Sequence, residues 1–173
     1  NSALVVDGVH QYTAFYRELS EQLGKGAGWT WSAHAMGYNF YGLFCYYLCS
    51  PFSFLVLLFM KFMYVNEAVT AVILIKAGLC SVSMAWYSGK KYPGKDCMAV
   101  SVGCMYALSN FLMGYYSNVM WLDCIMLLPV LAYLIERLVN TGKWKGYCLV
   151  LGYGILTSYY MGFMLCTLAA LYY

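Results

Sequence analysis

Long apolar runs dominate this chain, and most of its charges lie outside them, in a polar N-terminal stretch and in short turns. Residues 39–62, 68–87, 97–115, 119–136 and 147–173 are such runs. A helix needs roughly 20 apolar residues to cross the hydrocarbon of a bilayer, so most of these runs are of spanning length. Hydrophobic residues make up 63% of the chain and charged ones 10%. Globular domains average about 45–50% and about 25%, so a soluble fold could not hide this much apolar surface. Lipid solvates it directly, provided that each segment satisfies its own backbone polar groups, which helices do. The composition therefore predicts an all-α, polytopic transmembrane helix bundle. The 19 Tyr and 5 Trp fit the same reading, because both side chains favour the membrane–water boundary. A net charge of +3 is too small to argue for nucleic acid as a partner.

The placement of Lys and Arg predicts the topology. The turns at 90–95 and 137–145 hold six of the ten basic residues, which places both on the cytoplasmic side. Two spans, 97–115 and 119–136, separate them, so the turn near Asn118 is expected outside. The span at 68–87 then runs from outside to inside. Residues 1–36 read as an outer loop. Within it, His10 to Leu23 reads as an amphipathic helix with Tyr12, Phe15, Tyr16, Leu19 and Leu23 on one face. Arg17, Glu18 and Glu21 lie elsewhere around that helix, and Gly24 to Gly28 end it. Residues 39–62 are broken at Ser50-Pro51, which fits interfacial or re-entrant pieces as well as a span. Residues 147–173 read as one transmembrane segment with Thr157-Ser158-Tyr159-Tyr160 at its centre. The chain starts at Asn1 and ends inside an apolar run, so a further helix is expected just before residue 1.

A few residues stand out chemically. Asp7, beside Gly8, is placed to act as a general base at the membrane surface or to cap the helix that follows. Lys76 lies in the middle of one span and Asp123 about a turn into another. Ionisable groups within the bilayer are costly, so they face a partner or a cavity. The pair can neutralise each other, or Lys76 can bind an anionic ligand such as a lipid phosphate. Asn118, Trp121, Tyr115 and Tyr116 crowd one outer turn, and Tyr159 and Tyr160 crowd the next. An aromatic belt explains most of them, and rings with Asn and Asp also suit a sugar. The eight Cys form no C-x-x-C pair and read as small apolar contact residues. Asp7 with His10 or His34 lacks metal-ligand spacing. The sequence thus requires no cofactor, and a divalent metal remains open.

Several stretches together resemble the bacterial YfhO family of membrane proteins. They are Asp7-Gly8 with Gln11-Tyr12, Met36-Gly37-Tyr38-Asn39-Phe40-Tyr41-Gly42, and Ser50-Pro51-Phe52. Further along come Asn118-Val119-Met120-Trp121-Leu122-Asp123 with Leu128-Pro129, and Tyr159-Tyr160-Met161-Gly162-Phe163. They occur in order along nearly the whole chain. The family in turn resembles the GT-C glycosyltransferases, polytopic enzymes that use polyprenyl-phosphate sugars. The resemblance implies a GT-C-like N-terminal part with interfacial or re-entrant helices in the first outer loop. It implies Asp7 as the catalytic residue, and Gln11, Tyr12, Asn39, Lys76, Asn118, Trp121, Asp123, Tyr159 and Tyr160 around the substrate. The implied partners are a lipid-linked sugar donor, a cell-wall glycopolymer acceptor such as lipoteichoic acid, and membrane lipid. A transporter or flippase of lipid-linked sugars is the alternative, and a structural scaffold the third reading.

Overall fold

The structure, a computed structural model, describes residues 11–25 and 37–173. The described residues form an all-α bundle. In chain order the helices are α1 (Thr13–Lys25), α2 (Phe40–Leu43), α3 (Pro51–Phe59), α4 (Val65–Lys91) and α5 (Asp96–Ala107). Then come α6 (Asn110–Tyr115), α7 (Val119–Thr141), α8 (Lys145–Thr157) and α9 (Tyr159–Tyr172). A π-helical turn, Phe44–Leu48, continues α2. Among the described residues, three stretches are long and apolar enough to cross a membrane, α4, α5 with α6, and α7, and a fourth if the bent pair Phe40–Leu48 and Pro51–Phe59 counts as one span.

The helix boundaries follow local chemistry. Ser50, Ser109 and Ser158 each stand just before a helix in extended backbone, and each hydroxyl accepts a first-turn N–H. Pro51 occupies the start of α3, where its missing N–H costs nothing. Lys90 and Lys91 end α4, where cations complement the negative helix terminus. Gly142 ends α7 in the left-handed region (φ 67°), with its N–H on the Leu138 carbonyl.

Helices α4 and α7 run parallel. Lys76 meets Asp123 near one end, and Tyr87 and Lys91 meet Glu136 near the other. Helix α5 returns antiparallel along α4. A Cβ on Gly103 would fall 2.6 Å from the Ser81 carbonyl, so glycine sets the closeness of that contact.

Residues 39–62 fold as two helices bent by 97° at Ser50-Pro51. The second arm, α3, packs with α1 against α4, and the π-helical end of the first arm packs against α1 and α8. Tyr12, Tyr16, Phe40, Leu48, Val56 and Val69 share one buried cluster. The face expected on α1 is present in part. Tyr12, Tyr16 and Leu19 are buried, whereas Leu23 is exposed. Glu18 departs from its expected polar position: it is buried and accepts a short hydrogen bond from the Tyr38 hydroxyl.

Residues 147–173 also differ from the single segment read from the sequence. Gly146 lies against Leu134 and Gly154 against Leu127, so α8 runs back along α7. Helix α9 then reverses: Tyr160 lies beside Trp121, and the Tyr172 hydroxyl donates to Glu136. The cause is Ser158, whose extended backbone (φ −158°, ψ 112°) breaks the helix and caps the next. Gly162 then lets α9 approach closely, because a Cβ there would fall 2.6 Å from the Ile155 Cα. Leu165 and Ala169 of α9 join Cys124, Leu131 and Ile135 of α7 in a second buried cluster.

Candidate functional site

Two turns of sequence create the central feature. Lys76 lies on the buried stripe of α4 with Val72, Ile73 and Cys80. Asp123 lies one turn into α7, between Leu122 and Cys124, all buried. The Lys76 ammonium donates to Asp123 Oδ2 at 2.8 Å and to the Val119 carbonyl at 3.0 Å. The side chains are 1% and 0% exposed, so the charges face each other out of reach of solvent and lipid alike. The Phe52 ring of α3 caps the ammonium, with its centroid 5.0 Å from Nζ. Asp123 Oδ1 has no hydrogen-bond partner among the described residues. A buried carboxylate oxygen without a donor is costly, which marks the pair as unfinished on one side.

Above the pair sits α1. Tyr16 is fully buried, and burial pushes its hydroxyl up to about 12; the hydroxyl of Ser53 acts in the opposite direction and the charge of Asp123 adds to the rise. Beside the pair runs a chain of rings. Phe111 and Tyr115 have centroids 5.0 Å apart, Tyr115 and Trp121 5.5 Å, and Trp121 and Tyr160 6.2 Å. The Trp121 indole N–H is buried without a partner among the described residues. Adjoining these rings is an apolar cleft of about 330 Å³ between α5–α6, α7 and α9, lined by Phe111, Cys124, Ile125, Leu128, Met161 and Met164 among others.

The other end of the bundle carries a second polar knot. Glu136 Oε1 accepts from Lys91 at 2.6 Å, from Tyr87 at 2.9 Å and from Tyr172 at 2.8 Å, tying α4, α7 and α9.

Of the residues singled out from the sequence, the structure brings together Lys76 and Asp123, and separately Trp121 and Tyr160. Asn118 stands at the start of α7, its carbonyl accepting from Trp121 N–H at 2.9 Å. Tyr159 is 73% exposed at the α8–α9 turn. Tyr12 is buried edge-on to Tyr47. Gln11 is exposed. Asn39 is exposed and caps α2 through the Tyr41 N–H. Asp7, His10 and His34 lie outside the described residues. Phe52, Tyr16 and Glu18 carry no site role in the sequence reading. Phe52 appears there only in the break at Ser50-Pro51 and Tyr16 only on an apolar helix face, and nothing in the spacing of Glu18 distinguishes it from Glu21. Among the described residues no group of three or more His, Cys, Asp or Glu could hold a metal ion.

The aggregate is a buried cation–carboxylate pair capped by Phe52, beside a row of aromatic rings and an apolar cleft. The pair is closed to solvent and lipid, so an anion would reach Lys76 only by displacing Asp123. No curated protein and no solved structure matches the chain. The family profile described as bacterial membrane protein YfhO matches residues 1–173, the whole of the sequence. With several apolar helices of spanning length and a match of that extent, the chain is a multi-pass membrane protein that belongs to the YfhO family.

Proposed function

We propose that this chain forms part of a membrane glycosyltransferase that moves a sugar from a polyprenyl-phosphate donor to an extracytoplasmic cell-wall polymer such as lipoteichoic acid. The observation that supports it best is the Lys76–Asp123 pair, whose ammonium lies against the Phe52 ring of α3. In this reading the basic turns are cytoplasmic, and α1, α2 and α3 cover the outer end of the bundle. The bent α2–α3 pair joins one buried cluster with Val69, Val72 and Ile73, on the half of α4 far from its basic end, as a re-entrant or interfacial element would.

The chemistry needs a base and a phosphate holder. An acceptor hydroxyl attacks the anomeric carbon of the donor sugar, and Asp7 takes its proton. The bond from that carbon to the phosphate oxygen breaks, and polyprenyl phosphate departs with the electron pair. Lys76 stabilises the departing phosphate, exchanging the Asp123 oxygen for a phosphate oxygen. Trp121, Tyr115 and Tyr160 seat the sugar, and the adjoining cleft takes the first part of the hydrocarbon tail. The test uses full-length protein, a polyprenyl-phosphate sugar and purified acceptor polymer. Asp7→Asn should abolish transfer and leave donor binding intact. Transfer by this variant at the native rate removes Asp7 from the mechanism.

One observation favours a second reading, a transporter or flippase of lipid-linked sugars. Two helix breaks, the 97° bend at Ser50-Pro51 and the reversal at Ser158, flank the buried pair. Broken helices around an intramembrane charge are the usual setting of a transport site. Transport requires no base, so Asp7→Asn would then leave movement of the lipid-linked sugar between leaflets unchanged.

A further inference from the structure

The turn between α7 and α8 combines three cations with a cleft. It encloses a cleft of about 340 Å³, lined by Leu134, Arg137, Gly142, Lys143, Trp144 and Lys145 with Gly146. The three cations fall within nine residues, and among the described residues none of them makes an ion pair. The ion pairs there are Lys76–Asp123 and Lys91–Glu136. The acid nearest in sequence, Glu136, is already engaged by Lys91, Tyr87 and Tyr172. In the α4–α5 turn, by contrast, Lys91 is paired and Asp96 opens the next helix.

We infer that this cleft binds the phosphate-bearing headgroup of an anionic membrane lipid. Charge selects the ligand class: three exposed cations around one cleft, none of them in an ion pair among the described residues, favour an anion. Helix α8 adds to this, because its first turn has no acidic residue and no side chain caps it, leaving its positive end open toward the turn. The surroundings select a lipid over a soluble anion. Leu134 forms one wall, Trp144 is 58% exposed as an interfacial ring would be, and Val139 and Leu149 present apolar surface on either side. A headgroup in the cleft would send its chains along the apolar flanks of α7 and α8. Basic clusters at a membrane boundary gain affinity for anionic lipid with each added cation.

The inference is independent of the glycosyltransferase reading and has its own test. Full-length protein is placed in bilayer discs of phosphatidylcholine with a minor fraction of phosphatidylglycerol, and the retained lipid is counted by native mass spectrometry. Wild type should retain phosphatidylglycerol over phosphatidylcholine. Lys143→Gln/Lys145→Gln should lower that retention roughly tenfold, while the charge-matched Lys90→Gln/Lys95→Gln should leave it unchanged. Equal loss in both doubles would mean diffuse attraction and no site. Equal retention of the two lipids would overturn the proposal as well. A readout on wild type alone stands if a variant fails to fold: retention must weaken as salt is raised, and salt-independent retention contradicts the inference.

Discussion

Lys76 and Asp123 each stand alone in an apolar run, and that isolation made them legible before any coordinates. Two opposite charges in neighbouring spans have few alternatives to each other, because leaving either one unpaired in hydrocarbon is expensive. The contact at 2.8 Å, with a second bond to Val119, meets that demand. Removing one partner strands the other, so Lys76→Met or Asp123→Leu should cost about 3–5 kcal/mol in detergent unfolding experiments. The double change Lys76→Met/Asp123→Leu should recover most of that stability, since an apolar pair of similar size carries no desolvation cost. Donor affinity separates structure from function. If Lys76 holds phosphate, the stable double variant binds a polyprenyl-phosphate sugar weakly; near-native affinity in that variant limits the pair to a structural role. Glu18 was illegible for the opposite reason. Glu21 and Gln22, one helical turn on, are polar, so Glu18 reads as a solvated position, and its bond from Tyr38 is made by a residue 20 positions away. Tyr38→Phe removes the donor to that carboxylate and should destabilise the outer cap by about 1.5–3 kcal/mol, as loss of a hydrogen bond to a charged group does. Unfolding of the variant against wild type measures it, and an unchanged midpoint would show the contact to be dispensable.

Among the elements, those with a sharp break signal were readable and those without were not. Ser50-Pro51 combines a helix cap with a residue confined to the first helical turn, and the chain bends there by 97°. Long α4 and α7 were visible as apolar runs bounded by charges. The reversal at Ser158 was hidden because apolar residues continue on both sides of it, and hydropathy cannot see a turn of one residue. What makes that turn possible is packing at Gly162, a contact invisible until α8 and α9 are set side by side. Two glycines therefore test the element scale. A methyl group at Gly103 or Gly162 meets backbone at 2.6 Å, which cannot yield as a side-chain tip can. Gly103→Ala and Gly162→Ala should each lower stability by about 1–3 kcal/mol. Gly78→Ala and Gly152→Ala have open space within helices and should be neutral or gain about 0.5–1 kcal/mol. Thermal unfolding of the four variants side by side decides the matter. A uniform response would show that the close approaches do not govern the packing.

At the scale of the whole molecule, the arrangement of helices turns topology into a sharper question than the sequence posed. With α4 and α7 parallel, their basic ends lie together at Glu136, and the cap of α1, α2 and α3 lies at the opposite end. Lys and Arg enrichment at one end predicts that this end is cytoplasmic. Every turn then has a predicted side, including the α8–α9 turn, whose Tyr159 should emerge on the outer face with the α6–α7 turn. A single span over 147–173 would bury Tyr159 in mid-membrane instead, so this position separates the two arrangements. On a background with all eight native Cys replaced, single cysteines at Tyr64, Tyr159 and Gly94 are exposed to a membrane-impermeant thiol reagent in intact cells. Tyr64 and Gly94 lie in turns at opposite ends of α4, and Tyr64 and Tyr159 are well exposed. The expected result is labelling at Tyr64→Cys and Tyr159→Cys and protection at Gly94→Cys until the cells are opened. Labelling at Gly94 with protection at Tyr64 inverts the molecule, which would put the Lys76 site on the cytoplasmic side and remove any role in modifying an extracytoplasmic polymer. Labelling at Tyr64 alone, with Tyr159 silent even in opened membranes, would keep the orientation but return residues 147–173 to a single crossing. Because the hairpin carries Tyr160 to Trp121, that last outcome would also dissolve the aromatic rim on which sugar recognition depends.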